Sequence, residues 1–383
     1  MRLFRWKAPV LMTALVGLLL ACSGNDNDPG DGPSPTNPAA NDRKVMLTHI
    51  ADNIILPAYA NFKTKFDAMT AKSDAFAAKP DKATLTDFRQ AWADAYTEWQ
   101  KVELFDVGPA EGHTLRFFFN IYPANTAGIE EAVQIGTVNL DVPASYPKQG
   151  FPALDYLING LGDTDDAILS KYTTAPDAAK RIAYLKKITG QMGSVFSKVY
   201  GEWTGGYRDT FVNATGTDAG SSLSKLVNGY VLHYERYIRS GKIGIPAGAM
   251  AGGTAAPEKV ESLYKKDLSL TLAKTAHQAA IDFFNGKSAK DGKEGPGFKT
   301  YLNALGAKDS RTNTSLVDIV NAQFDVANKQ LADLKPNLYD EVKTNTPAVV
   351  KVYDEMQKLV RMLKVDMTSA MGITITYTDN DGD

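Results

Sequence analysis

The chain is poor in the residues that most metal and redox chemistry uses. Its 383 residues include one cysteine, Cys22, and four histidines, His49, His113, His233 and His277. A single thiol excludes an intramolecular disulfide and a cysteine-cluster metal site. The histidines are too scattered for a His-Glu-x-x-His helix or for the Glu-x-x-His pairs of di-iron bundles. Gly-x-Ser-x-Gly is absent, and no glycine-rich loop is placed to cradle phosphate before a helix. Basic excess is lacking too: 42 Lys and Arg stand against 44 Asp and Glu, a formal net charge of −2. That balance argues against nucleic acid as a partner. No apolar run reaches the roughly 20 residues that span a bilayer.

The N-terminus has the three parts of an export signal. Arg2, Arg5 and Lys7 form a positive start, and a short apolar stretch runs from Ala8 to Leu20. It ends in Leu19-Leu20-Ala21-Cys22, which resembles the lipobox of bacterial lipoproteins. Residues 1–21 read as the signal and Cys22 as the lipidation site. Without the three signal cations the remainder carries −5. Residues 22–42, rich in Gly, Asn, Asp and Pro, have too few apolar side chains to bury and read as a tether. The expected address is the cell envelope, with a lipid on Cys22 holding the chain to the outer membrane, at its periplasmic face or the cell surface.

Beyond the tether the apolar spacing is helical almost throughout. Ile50, Ile54, Phe62, Phe66 and Met69 share one face, and Pro57 within that run should free the carbonyl of Asn53 and kink the helix. Thr84 to Asp87 reads as a capped start for an aromatic stripe of Phe88, Trp92, Tyr96 and Trp99. A further stripe, Leu185 to Val199, ends at Thr204-Gly205-Gly206, and the looser stretch 213–222 marks a boundary. In the second half, Leu223 to Ile238 precedes an expected mobile loop from Ser240 to Gly253. Thr346-Pro347 opens the last long helix. Only Ile373 to Tyr377 alternates like a strand. The expected fold is all-α: two four-helix-bundle-like domains, 43–215 and 216–383, packed together, with a short extended C-terminal tail. Asp379-Asn380-Asp381-Gly382-Asp383 looks like the opening of a calcium loop without its closing Glu.

Several polar residues fall on apolar faces. Glu103 continues the Trp92, Tyr96, Trp99 stripe, and Asp155 sits among Phe151, Leu154 and Ile158. A carboxylate there must pair, bind a cation or take up a proton. Both are structural ion-pair or hydrogen-bond residues, or acids of a ligand site. His233, among Tyr230, Tyr234 and Tyr237, is a hydrogen-bonded core histidine or a ligand contact. His49 and Asp52 share a face and are candidates for a cation.

Three blocks carry a family resemblance: Phe88 to Glu103 with Gly108-Pro109, Gly150-Phe151-Pro152-Ala153-Leu154-Asp155-Tyr156-Leu157, and Val365 to Asp383. With His49 to Pro57 they resemble the imelysin family of bacterial envelope proteins across the whole mature domain. The resemblance implies two helical bundles with a site near their meeting point, centred on Gly-x-His-x-x-Glu. Gly150 matches that motif, but Pro152 stands at the histidine position and Asp155 at the glutamate. The family was named for a metallopeptidase activity, and many members look tied to iron acquisition. The lost histidine turns the expectation toward a non-catalytic, lipid-anchored binding protein accessory to iron or haem uptake. The implied ligand is iron, another divalent cation or haem, with an outer-membrane transport protein as partner. Candidate ligand contacts are Glu103, Gly150, Asp155, His49 and His233. The alternatives are a metal-dependent peptidase and a surface module that binds protein or glycan.

Overall fold

The structure is a computed structural model that describes residues 38–309 and 312–378. The export signal, Cys22, most of the tether and the acidic C-terminus 379–383 lie outside the described residues. The fold is all-α. Among the described residues there is no β-strand, only two isolated bridges, Lys287 to Glu294 and Lys308 to Ser315. None of the described helices is long and apolar enough to cross a membrane.

The first helix, Pro38–His49, begins inside the stretch read as tether. A π-helical turn, Ile50–Ile55, leads into Leu56–Ala78. Pro57 cannot donate to Asn53, and the freed Asn53 carbonyl accepts the N–H of Ala289, at 2.8 Å, from the other half of the chain. The next helix, Lys82–Trp99, starts earlier than expected. Asp81 is its N-cap, and Thr84 closes a capping box with it. Phe88, Trp92, Tyr96 and Trp99 are all at most 1% exposed, so the stripe is the inner face. It packs with Phe62, Phe66, Phe119, Phe151 and Phe196, with Trp99 stacked on Phe119 and Tyr96 on Phe151. The long helix Ala178–Glu202 completes this layer. Its expected stop is a kink at Gly206, after which Arg208–Asn213 continues helically.

The second half packs Ser222–Leu232, Ser269–Phe284, Leu316–Ala332 and Thr346–Arg361. The N-cap position of the last of these is Asn345 rather than Thr346, and no side-chain bond caps it. The expected loop from Ser240 is helical to Ala247. A π-helix, His233–Gly244, carries Ser222–Leu232 onward, and Ile245–Ala247 comes next. Its glycines serve packing: a Cβ on Gly244 would lie 2.6 Å from the ring of Tyr353. Lys242 is drawn inward by acid and amide partners. The alternating segment from Ile373 is not a strand either. The side chain of Asn228 donates to Thr374 O at 3.0 Å and accepts Thr376 N at 2.8 Å, so one amide on a helix supplies what a neighbouring strand would.

The halves share a seam. Phe105 meets Phe283, and His49 and Asn53 reach the turn at Gly286 and Ala289. The helix Pro38–His49 packs on Ser222–Leu232 and Phe298–Ala304 as well as on Arg208–Asn213.

Candidate functional site

A polar cluster lies buried in the seam. Glu103 enters it just past the aromatic stripe, at 3% exposure. Its Oε1 is 3.1 Å from Arg116 Nε, an ion pair without hydrogen-bond alignment. Asn120 Nδ2 donates to Glu103 and, at 2.8 Å, to Glu261 of the other half. The Asn120 carbonyl oxygen accepts the Tyr96 hydroxyl at 2.6 Å. Glu261 also accepts from Gln100 at 3.1 Å and from Lys242, whose ammonium donates to Gln100 at 2.6 Å. Two carboxylates are thus bridged by one amide and balanced by two cations, which makes their burial tolerable.

The backbone explains how these side chains meet. Tyr96, Gln100 and Glu103 succeed one another at helical spacing. Arg116 is in the first turn of the short helix Leu115–Phe119, and Asn120 is its C-cap. Gly150 sets that helix in place. At φ +80°, it brings its α-carbon against the backbone of Phe119, where a Cβ would lie 2.4 Å from the carbonyl oxygen. The indole N–H of Trp92 donates to Phe151 O at 3.2 Å, tying the two sequence blocks together. Lys242 arrives on the π-helix, an element that recurs at functional sites.

His233 opens the same π-helix and is 2% exposed. It is at the interface as expected, but it is not hydrogen bonded: neither ring nitrogen has a partner. Burial, with the nearby charges of Lys242 and Arg116, holds it well below the usual histidine range, so the ring is neutral. The guanidinium of Arg116 lies 3.3 Å over the Tyr237 ring, and that ring is 5.8 Å from His233. Burial and the charges of Glu261 and Glu103 push the Tyr122 hydroxyl well up.

Asp155 is buried but takes a different role. Its carboxylate accepts the backbone N–H of Tyr264 at 2.9 Å and of Lys265 at 3.0 Å, and the amide of Asn159 at 3.0 Å. Burial outweighs these bonds and raises its pKa to about 6. It touches the cluster only through the segment that bears Glu261. His49 stands apart, with Nε2 2.9 Å from Gly286 O and Nδ1 3.2 Å from the Asn53 amide. Asp52 forms a two-point pair with Arg208, at 2.9 and 2.6 Å. His113 pairs with Glu202, and His277 is a core residue beside Tyr234.

Gln100, Arg116, Asn120, Lys242 and Glu261 were not anticipated from sequence. Within the cluster only Glu103 carried a sequence signal, that of a carboxylate in need of a partner; nothing local marked Lys242, inside a glycine-rich run, or Glu261, in a bend.

Such an arrangement defines an all-helical protein in which the described residues from Pro38 onward form one compact unit around a closed polar cluster. Residues 55–364 match the family model described as Peptidase_M75: Imelysin, and the chain belongs to the imelysin family. A search among curated proteins found no match. Among solved structures, a candidate iron-regulated protein A precursor from Parabacteroides distasonis ATCC 8503 is similar at TM-score 0.70 and 19% identity. The match covers 88% of this chain and 96% of that one. An imelysin-like protein from Psychrobacter arcticum 273-4 is similar at TM-score 0.66 and 18% identity, covering 88% and 98%.

The motif position does not suit a catalytic metal. Pro152 offers no donor, and the Asp155 carboxylate is committed to three N–H partners. Among the described residues no three His, Cys, Asp or Glu side chains are grouped to hold an ion.

Proposed function

We propose that this chain is a lipid-anchored, non-catalytic envelope protein accessory to iron or haem uptake, which takes haem or chelated iron as cargo at the cluster between its halves, where the described residues group too few donors to cage a bare ion. The observation that carries this reading is His233: a buried, neutral imidazole with both nitrogens uncommitted, set beside a charge-balanced group of acids and bases. An unpartnered buried group costs about 1–3 kcal/mol, and a ligand would remove that cost. Further support comes from the family, from a structural neighbour described as iron-regulated, and from the lipobox-like sequence ending at Cys22. Such a protein would hand its cargo to an outer-membrane transport protein.

Titration of the purified mature protein with hemin and with ferric nitrilotriacetate tests the reading, alongside elemental analysis. His233→Ala should weaken binding about tenfold or more, the equivalent of one lost charge-assisted or metal contact. If neither compound binds and iron limitation leaves expression unchanged, the proposal fails. Metal-dependent cleavage of an unfolded peptide, abolished by Asp155→Ala, would favour the peptidase instead.

A further inference from the structure

The cluster is sealed. Glu103, Lys242, His233 and Glu261 are each 2 or 3% exposed, so a ligand reaches them only if a wall moves. Three walls are helical: the end of Lys82–Trp99 with its last turn, the helix Leu115–Phe119, and the π-helix His233–Gly244. The fourth is the bend Val260–Lys265, which has no helical or sheet bonding of its own. We infer that Asp155 is a positioning residue that latches this bend across the seam, and that the bend is the gate to the cluster. The gating half of the inference rests on the cluster being the binding site; the latch does not.

The geometry supports each part. At one end of the bend, Glu261 reaches into the cluster and holds Lys242, Gln100 and Asn120. Three and four residues on, the N–H groups of Tyr264 and Lys265 both point at the Asp155 carboxylate. The Tyr264 ring rests on Tyr156, 5.4 Å between centroids. Between these anchors Ser262 adopts φ +58°, a left-handed conformation that a non-glycine residue holds only when its surroundings impose it. Its hydroxyl donates to Lys265 O at 3.0 Å, which keeps the bend closed on itself. The bend is therefore strained and clamped at two points, at Glu261 by Gln100 and Asn120 of the other half together with Lys242, and at Tyr264 and Lys265 by Asp155. Releasing the Asp155 clamp frees the backbone next to Glu261 and relaxes Ser262, so this wall opens most readily. The motif acid thus acts on the cluster through the backbone of the opposing half, without contacting a ligand.

Amide hydrogen exchange on the mature protein reads the latch directly. Asp155→Ala should speed exchange across residues 260–266 about ten- to hundredfold, the range for losing hydrogen bonds to a charged acceptor. Exchange in the helix Ala178–Glu202 should stay as in the wild type. Lys265→Pro is the second variant. Residue 265 has φ −87°, near what proline requires, so this change deletes one latch N–H and leaves Asp155 intact. It should act in the same direction. Unchanged exchange in both variants, or an equal rise over both halves, overturns the latch. Stopped-flow uptake of hemin and of ferric nitrilotriacetate reads the gate: both variants should load faster. Faster exchange with an unchanged loading rate overturns the gate and leaves the latch standing. If the wild type binds neither probe, the binding proposal fails, while exchange still decides the latch.

Discussion

At the scale of single residues, the buried charges dominate. Lys242 and Glu261 form an ion pair with side chains at most 2% exposed. Removing one partner leaves an uncompensated buried charge and costs about 3–5 kcal/mol, whereas replacing both with apolar groups of similar size is far milder. Lys242→Met should therefore lower the urea midpoint sharply, and Lys242→Met with Glu261→Met should recover only part of the loss, because the buried Gln100 amide then loses both partners. Titrating groups add a second test. Burial pushes Asp155 and Asp106 up to about 6. A raised carboxyl pKa stabilises the fold below the unfolded value and loses that effect as pH rises toward 6. Burial lowers His277 to about 4 and His233 well below its usual range, which works the other way: stability is lost as pH falls below 6.5. The raised acids and the lowered histidines therefore pull in opposite directions between pH 4 and 6. His277→Leu removes one of the two histidine contributions, so its stability should gain less, or lose more, from pH 4 to pH 6 than the wild type's does. Chemical denaturation at the two pH values checks the slope.

At the scale of elements, close approaches decide where side chains arrive. Gly150 allows the helix Gly150–Asp155 to touch the backbone of Phe119, next to Asn120. Gly150→Ala meets both an unfavourable positive φ and a clash with a carbonyl oxygen that cannot rotate away. It should cost more than about 1–2 kcal/mol, the left-handed penalty alone, and should weaken ligand binding by displacing Arg116 and Asn120. Thermal melts and hemin titration of the variant test this. Elements with strong periodicity were the ones legible in the sequence. The aromatic stripe and the freed carbonyl at Asn53 could both be read there, because helical spacing and proline chemistry are local. From Ser240 the run is helical where its glycines suggest a loop, because composition cannot tell flexibility from close packing, and Gly244 is there to admit the Tyr353 ring. From Ile373 the alternation signals an extended backbone without saying what pairs with it; the partner is the Asn228 side chain rather than a strand.

At the scale of the whole molecule, the seam binds the halves together. Glu261 is bonded by Gln100 and Asn120 from the first half, Ala289 is bonded to Asn53, and the first helix packs on the second half. A fragment ending at residue 215 would leave Glu103 and Arg116 open to water and remove the partners of His49 and Asn53. It should lack a sharp thermal transition and be cut readily by protease, while the mature protein unfolds cooperatively; circular dichroism and limited proteolysis compare the two.

The sequence by itself determined that the chain is helical, which faces are buried, and that Glu103 and Asp155 would need partners, since these follow from spacing and from the cost of burying charge. Only the tertiary structure decided who the partners are. Lys242 and Glu261 come from a glycine-rich run and a bend with no periodic signal, and each meets Gln100 more than 140 residues away in sequence. Contacts of that range are set by how two halves pack, and no local pattern encodes them. The scarcity of cysteine and histidine had already pointed away from a metal cage. The fold added the surroundings of His233, buried with neither ring nitrogen bonded, and the three N–H groups that hold the Asp155 carboxylate.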